Sequence, residues 1–152
     1  MSDKKYSSMS ILTDLLAALR AAHWVHWTSH WQVQGAPYYG DHLLLERLYT
    51  SVVDEIDTLA EKLVAEYGSS VVNPIDQARR TSRIIENVCS NPNYANPIQR
   101  SLFMERKLMK LFNETFKHLE STNQLSLGMN DFISATANAH ETNIYLLQQR
   151  VR

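Results

Sequence analysis

The chain has 152 residues, of which 44% are hydrophobic and 20% charged, so it is long enough to form one globular domain with a full core. Four glycines and four prolines supply too few turns for a many-stranded β protein, and the single cysteine excludes an intrachain disulfide. A net charge of −1 argues against a constitutive nucleic-acid-binding protein, which usually carries a basic face. Because the sequence contains neither a signal-peptide pattern nor a long apolar run, we expect a cytoplasmic protein without a membrane span.

The first half of the chain predicts a polar tail followed by two long helices. Residues 1–7 are polar and are expected to be flexible. Over residues 8–34, leucines and alanines recur at spacings of three and four, which predicts an amphipathic helix ending before Gly35. The same periodicity predicts a second helix over residues 39–67, with Gly68 as its C-terminal cap.

The second half predicts one short helix and two further long ones. An asparagine followed by a proline, the pattern of a capped helix start, opens a short helix over residues 73–89 and a long helix over residues 96–121. The last helix is expected over residues 130–150. We therefore predict an all-α fold, a ferritin-like four-helix bundle over residues 8–152 with an additional short helix in the long connection between the second and third long helices.

Two histidines and two carboxylates in the first two helices are candidate metal ligands. His30 and His42 lie twelve residues apart, and antiparallel packing of the two helices would bring them to the same end of the bundle. Asp57 follows His42 by 15 residues and precedes Glu61 by four, so the two acids share a helical face. A straight helix separates His42 from Asp57 by about 22 Å, whereas donor atoms must lie about 2 Å from a metal. If all four residues bind one metal, two chains must build the site together.

The two acids are expected to point away from the bundle's own core. On a helical wheel, Asp54, Asp57 and Glu61 fall within about 60° of one another, on the side opposite the apolar stripe. A di-iron site inside a bundle instead needs inward glutamates and Glu-x-x-His motifs, and the sequence contains no such motif. An ordinary solvated acidic face is the alternative interpretation.

The residues around these four side chains follow a recognisable pattern. In chain order they read His30-Trp31-x-x-x-Gly35, Gly40-Asp41-His42, Leu45-Glu46-x-Leu48-Tyr49 and Asp57-x-x-Ala60-Glu61-Lys62, with Ala139-His140-Glu141-x-x-x-Tyr145-Leu146-Leu147 near the C-terminus. This string resembles the Dps family of ferritin-like mini-ferritins, which shows the same spacings between its two histidines, its aspartate and its glutamate. The resemblance covers both ends of the chain, and residues 70–125 only in helix layout.

The resemblance implies a function as well as a fold. It implies a hollow dodecamer in which His30 and His42 of one subunit face Asp57 and Glu61 of its two-fold partner. The implied reaction is that of a ferroxidase: Fe²⁺ is oxidised, preferentially by hydrogen peroxide, and the ferric mineral is stored in the shell, which protects against oxidative damage. Either two irons or one iron with a weaker second site would be bound, and Zn²⁺ could substitute.

Several other residues and functions remain open at this point. Trp31 is a possible supporting residue, either through packing or by donating an electron. Glu46 is another, either as a weak metal ligand or as a partner in an ion pair. His23 and His26 are interpreted as interior or interface histidines satisfied by hydrogen bonds, with a second metal site on the first helix as the alternative. His118 and His140 are interpreted as structural. The alternatives are an all-α shell protein with little iron activity and a DNA-binding nucleoid protein. Only two lysines precede the first helix, so DNA binding is expected to be weak.

Overall fold

The structure, a computed structural model, describes residues 1–152 and consists of helices without any strand. The α-helices are α1 (Asp3–Gln32), α2 (Tyr38–Tyr67), α3 (Pro74–Cys89), α4 (Pro97–Ser121) and α5 (Leu127–Val151). Two short 3-10 turns, Ser69–Val72 and Pro92–Tyr94, flank α3. The predicted all-α four-helix bundle with an extra short helix is therefore confirmed. None of these helices has the length and hydropathy that a membrane span requires.

Side-chain caps fix where most of the helices begin. Asn73 accepts hydrogen bonds from the two amides that follow Pro74, and Asn96 does the same at the start of α4. These two starts were predicted correctly, because an asparagine cap before a proline satisfies the otherwise free amides of a first turn. The start of α5 was predicted three residues too late, since the Ser126 hydroxyl accepts from the amide of Met129 and caps the helix there.

The N-terminal segment is helical, whereas the sequence pattern predicts no helix before residue 8. Residues 3–7 form the first turns of α1, because the Ser2 hydroxyl caps the helix by accepting from the amide of Lys5 at 3.2 Å. The segment is tied to the bundle through a hydrogen bond between Ser7 and His118. The helical start was missed because a polar sequence carries no apolar periodicity. The mobility of residues 1–7 and the single-domain division stay predictions.

The five α-helices share one hydrophobic core, in which α1 occupies the centre. Leu15, Leu16 and Leu19 are completely buried, and so is Ala17, because α1 packs against α2, α3 and α4 on different sides. A second, smaller core lies at the end where α1 passes into α2 and comprises Val33, Leu45, Leu48, Ile98, Leu102 and Leu147. This second core supports the end of the bundle where His30 and His42 lie.

The link between α1 and α2 depends on a glycine in the left-handed region. Gly35 has a φ of +88°, a conformation that L side chains rarely adopt. It allows the chain to leave α1 and enter α2 within five residues, which sets the two helices side by side and antiparallel. The approach of His30 to His42 is thus a consequence of this turn.

We predict that Gly35→Ala lowers the free energy of unfolding by about 1–2 kcal/mol, because the new side chain strains the turn. Urea unfolding at matched protein concentration measures the change. Gly40→Ala is the control: Gly40 is helical and has open space around an added Cβ, so its replacement should be neutral or stabilising by up to about 1 kcal/mol. Equal effects of the two substitutions would contradict the role given to the turn.

Candidate metal centre

His30 and His42 form a reciprocal pair, which we call the histidine clasp. The Nδ1 of His30 donates to the backbone oxygen of His42 at 2.8 Å, and the Nδ1 of His42 donates to the backbone oxygen of His30 at 3.0 Å. The two rings stack with centroids 3.5 Å apart and planes 23° from parallel. Because a carbonyl oxygen can only accept, each Nδ1 must carry the hydrogen. In the neutral rings, both Nε2 atoms then keep the lone pair that a metal needs.

Aromatic side chains enclose the clasp on both sides. Tyr38 stacks on the His42 ring with centroids 5.0 Å apart, and Tyr49 and His30 meet edge to face with centroids 5.1 Å apart. His30 is 7% exposed, whereas His42 is half-buried. Trp31 is exposed, and its ring contacts that of Trp27 at a tilt of 43°, so it lies beside the clasp without enclosing it. These ring contacts limit the rotation of the two imidazoles.

Asp57 and Glu61 lie far from the clasp in the same chain. Helix α2 is continuous from Tyr38 to Tyr67, so the 15 residues between His42 and Asp57 still correspond to about 22 Å. Both acids are exposed, and so is Glu46. Within the chain, no three His, Cys, Asp or Glu side chains lie close enough together to hold a metal ion. The structure thus unites the two histidines and leaves the two acids open to solvent.

The outer face of α1 and α2 carries many exposed apolar side chains. Trp24 and Trp31 are more than 60% exposed, and the face also presents Trp27, Tyr38, Tyr39, Leu43, Val53 and Val64. The clasp and the two acids lie on the same pair of helices. A large apolar surface around candidate ligands is typical of a protein–protein contact.

A second cluster of polar side chains lies inside the bundle, where sequence reasoning did not place one. His26 Nε2 donates to Glu105 at 2.9 Å, His140 Nδ1 donates to the other oxygen of Glu105 at 2.5 Å, and His140 Nε2 donates to Glu55 at 2.6 Å. Ser101 completes the chain at 3.0 Å from His26 Nδ1. We call these five residues, which come from α1, α2, α4 and α5, the buried network. The expectation that His26 is an interior histidine satisfied by hydrogen bonds is confirmed. His23 instead is half-buried and contacts the rings of Trp27 and Tyr49.

The buried network is held together by charge. Burial opposes ionisation of Glu105, but hydrogen bonds from His140 and His26 outweigh it and lower the pKa of Glu105 from 4.5 to about 2. Burial likewise opposes charge on His140, but its hydrogen bonds to Glu105 and Glu55 raise its pKa from 6.5 to about 10. At neutral pH, His140 is therefore an imidazolium between two carboxylates. With donor and acceptor only 2.5–2.9 Å apart, the network is a chain of hydrogen bonds rather than a coordination sphere.

One sequence signal could have revealed the buried network. Glu105 follows Leu102 by three residues and precedes Leu108 by three, so it lies on the apolar stripe of α4. A carboxylate at such a position is fully buried only when it is paired. The partner could not be inferred, because His26 and His140 are distant in sequence and meet Glu105 only through the packing of three helices.

The fold of the chain is similar to that of proteins whose structures have been solved. The chain is similar over its whole length to the solved structure of DpsC from Streptomyces coelicolor, with a TM-score of 0.81, 22% identity and 87% of that chain covered. It is also similar to Dps from Thermosynechococcus elongatus, with a TM-score of 0.80, 16% identity and coverage of 98% and 92% of the two chains. The chain has the Dps fold. The ferritin-like fold class and the resemblance to Dps proteins are therefore confirmed.

Similarity in sequence is weaker and partial. No protein-family profile matches the chain. It is 31% identical over 81 residues to an uncharacterized protein of Haemophilus influenzae, a stretch that covers 51% of this chain and 50% of that protein. It is 26% identical over 91 residues to the DNA protection during starvation protein of Helicobacter pylori, covering 60% and 55% of the two chains. The matched stretch spans about half the length of each of these curated relatives.

We predict that Glu105→Gln lowers the free energy of unfolding at pH 7 by about 3–5 kcal/mol, because it leaves His140 with one carboxylate and breaks a buried ion pair. Glu114→Gln, an exposed glutamate on the same helix, is the control and should change stability by less than about 0.5 kcal/mol. Urea unfolding measures both. A loss in Glu105→Gln as small as that in the control would contradict the network's contribution.

The pH dependence of stability gives a second signature of the buried network. The folded pKa of Glu105 is depressed, so its contribution is present above pH 4.5 and is lost as the pH falls towards 2. The folded pKa of His140 is raised, so its contribution is complete below pH 6.5 and is lost as the pH rises to about 10. We expect both slopes to be smaller in Glu105→Gln than in the wild type. Identical slopes in the two proteins would rule out the assigned charges.

Proposed function

We propose that the protein is a mini-ferritin of the Dps type, a ferroxidase that oxidises Fe²⁺ and stores the ferric product. The observation that carries this proposal is the histidine clasp, which presents two Nε2 lone pairs at one end of a helix whose exposed acids lie about 22 Å away. The Dps fold supports the proposal. A solved Dps protein of Vibrio cholerae, similar at a TM-score of 0.60 and 17% identity over 98% of this chain and 91% of that one, is described as a ferritin-like diiron-carboxylate protein.

A second copy of the chain would complete the site. In a two-fold dimer, the clasp of one subunit would face Asp57 and Glu61 of the other, so that each dimer holds two equivalent sites. The exposed apolar side chains on α1 and α2 support this contact, because they surround both half-sites and need cover from water. Further copies would close the shell, and we propose the dodecamer that the resemblance implies.

The four ligands suit the oxidation of iron. Imidazole nitrogen accommodates Fe²⁺, and carboxylate oxygen accommodates Fe³⁺, so the mixed set binds the substrate and tolerates the product. Two ferrous ions give one electron each to hydrogen peroxide, which takes up two protons and leaves as two molecules of water. No hydroxyl radical is released in this balance, which would account for a protective function. Glu46, one turn after His42, would assist as a weaker ligand.

Three sequence-based expectations, about cellular location, DNA binding and the choice of metal, accompany this proposal. The cytoplasmic location, the weak DNA binding and the ability of Zn²⁺ to take the place of iron stay predictions. The name DNA protection during starvation protein belongs to the Helicobacter pylori relative and is not evidence that this chain binds DNA.

We predict that His42→Ala and Asp57→Ala each reduce the rate of ferric product formation at least about tenfold, because each removes a ligand from the same site. Purified protein is loaded anaerobically with Fe²⁺, peroxide is added, and ferric absorbance is followed. Asp131→Ala, which removes an exposed acid from α5, is the control and should keep the wild-type rate. Wild-type rates in both site variants would reject the assignment of the site.

A further inference from the structure

A side chain near the C-terminal end of the chain binds the first turn of α2. The residue at the N-cap position, Pro37, makes no side-chain hydrogen bond to the helix. Instead, the carboxylate of Asp41 receives two hydrogen bonds from Arg150 near the end of α5, from Nε to Oδ1 at 2.5 Å and from Nη2 to Oδ2 at 3.1 Å. The Asp41 side chain is 6% exposed and that of Arg150 is 41% exposed. The pair is a two-point clamp on a nearly buried acid.

Apolar packing between α5 and α2 begins one turn later, where Leu45 and Leu147 belong to the second core. An open surface groove of about 470 Å³ lies between the first turn and α5, and its lining includes Pro37, Gly40, Leu146 and Gln149. The hydrogen bonds from Arg150 are the only side-chain hydrogen bonds between α5 and the turn. The two-point clamp adds a directional polar contact to the apolar packing of the second core, and it acts on the first turn itself.

Asp41 directly precedes one half of the histidine clasp. The backbone oxygen of His42 accepts from His30, and the His42 ring donates back to the backbone oxygen of His30. Both hydrogen bonds therefore depend on the position of His42, which the first turn of α2 sets. A shift of that turn would break them together and would free the His42 ring to rotate.

We propose that Arg150 is a positioning residue for the candidate metal centre. By clamping Asp41, it fixes the first turn of α2 and thereby aims Nε2 of His42 at the metal position. Without Arg150, Asp41 is a buried carboxylate without a cation, and it turns towards water. Donor atoms must be held to within about 0.5 Å for tight binding, so a small displacement of the turn weakens the site. The metal step rests on the proposed function, whereas the positioning of the clasp does not.

Hydrogen exchange in the metal-free protein tests the positioning directly. The Nδ1–H protons of His30 and His42 are observed by nitrogen-edited NMR in the wild type, Arg150→Gln and Arg150→Lys. We expect exchange at least about tenfold faster in Arg150→Gln and an intermediate rate in Arg150→Lys, which keeps the charge but loses the two-point geometry. Arg80→Gln is the matched control, because Arg80 likewise makes two hydrogen bonds to carboxylates, those of Asp76 and Asp14, but lies on α3, away from the clasp. Unchanged exchange in Arg150→Gln, or equal acceleration in the control, overturns the inference.

Binding of Co²⁺, followed by its visible spectrum, tests the consequence for the metal. Arg150→Gln should bind Co²⁺ about tenfold more weakly than the wild type, while Arg80→Gln should match the wild type. Asp41→Asn combined with Arg150→Gln should lose no more than the worse single variant, because both changes remove one interaction. Losses that add in the double variant overturn the inference. A wild-type protein that binds no Co²⁺ overturns the proposed function instead, and the exchange measurement still decides whether Arg150 positions the clasp.

Discussion

A continuous thirty-residue helix keeps the two halves of the candidate metal centre apart. The histidine clasp lies at the beginning of α2, and Asp57 lies 15 residues later on the same helix, so no bend or loop allows one chain to bring them together. If all four side chains bind one metal, this separation requires a second copy of the chain, and the exposed aromatic face of α1 and α2 would be covered by that copy.

The interior of the bundle contains similar residue types in a hydrogen-bonded cluster rather than in a candidate metal site. Histidines and glutamates in the buried network satisfy one another, with each imidazole nitrogen bonded to an oxygen, so no lone pair remains for a metal. In the clasp, by contrast, only the Nδ1 atoms are bonded and the Nε2 atoms remain free. The hydrogen-bond partners of each ring therefore separate a structural cluster from a candidate ligand pair, even though residue type alone does not.

The sequence predicted the parts of the structure that depend on local order. The asparagine caps at Asn73 and Asn96, the glycine at the end of α1 and the periodicity of α2 are local, and they gave the helices and their order. The helical start at Asp3 was missed because its cap, Ser2, precedes a polar stretch without apolar periodicity. The buried network and the clamp between Asp41 and Arg150 were missed because their partners are distant in sequence and meet only when the bundle packs.

The shared site can be tested most directly by mixing two inactive variants. If one subunit lends the clasp and its partner lends Asp57 and Glu61, a dimer of one His42→Ala subunit and one Asp57→Ala subunit contains one dead site and one intact site. Random assembly after co-refolding then makes half of the dimers mixed and restores about one quarter of the wild-type ferroxidase sites. Ferric absorbance after addition of peroxide would show this recovery. A mixture that remains as inactive as its separate parents would contradict a site built by two chains.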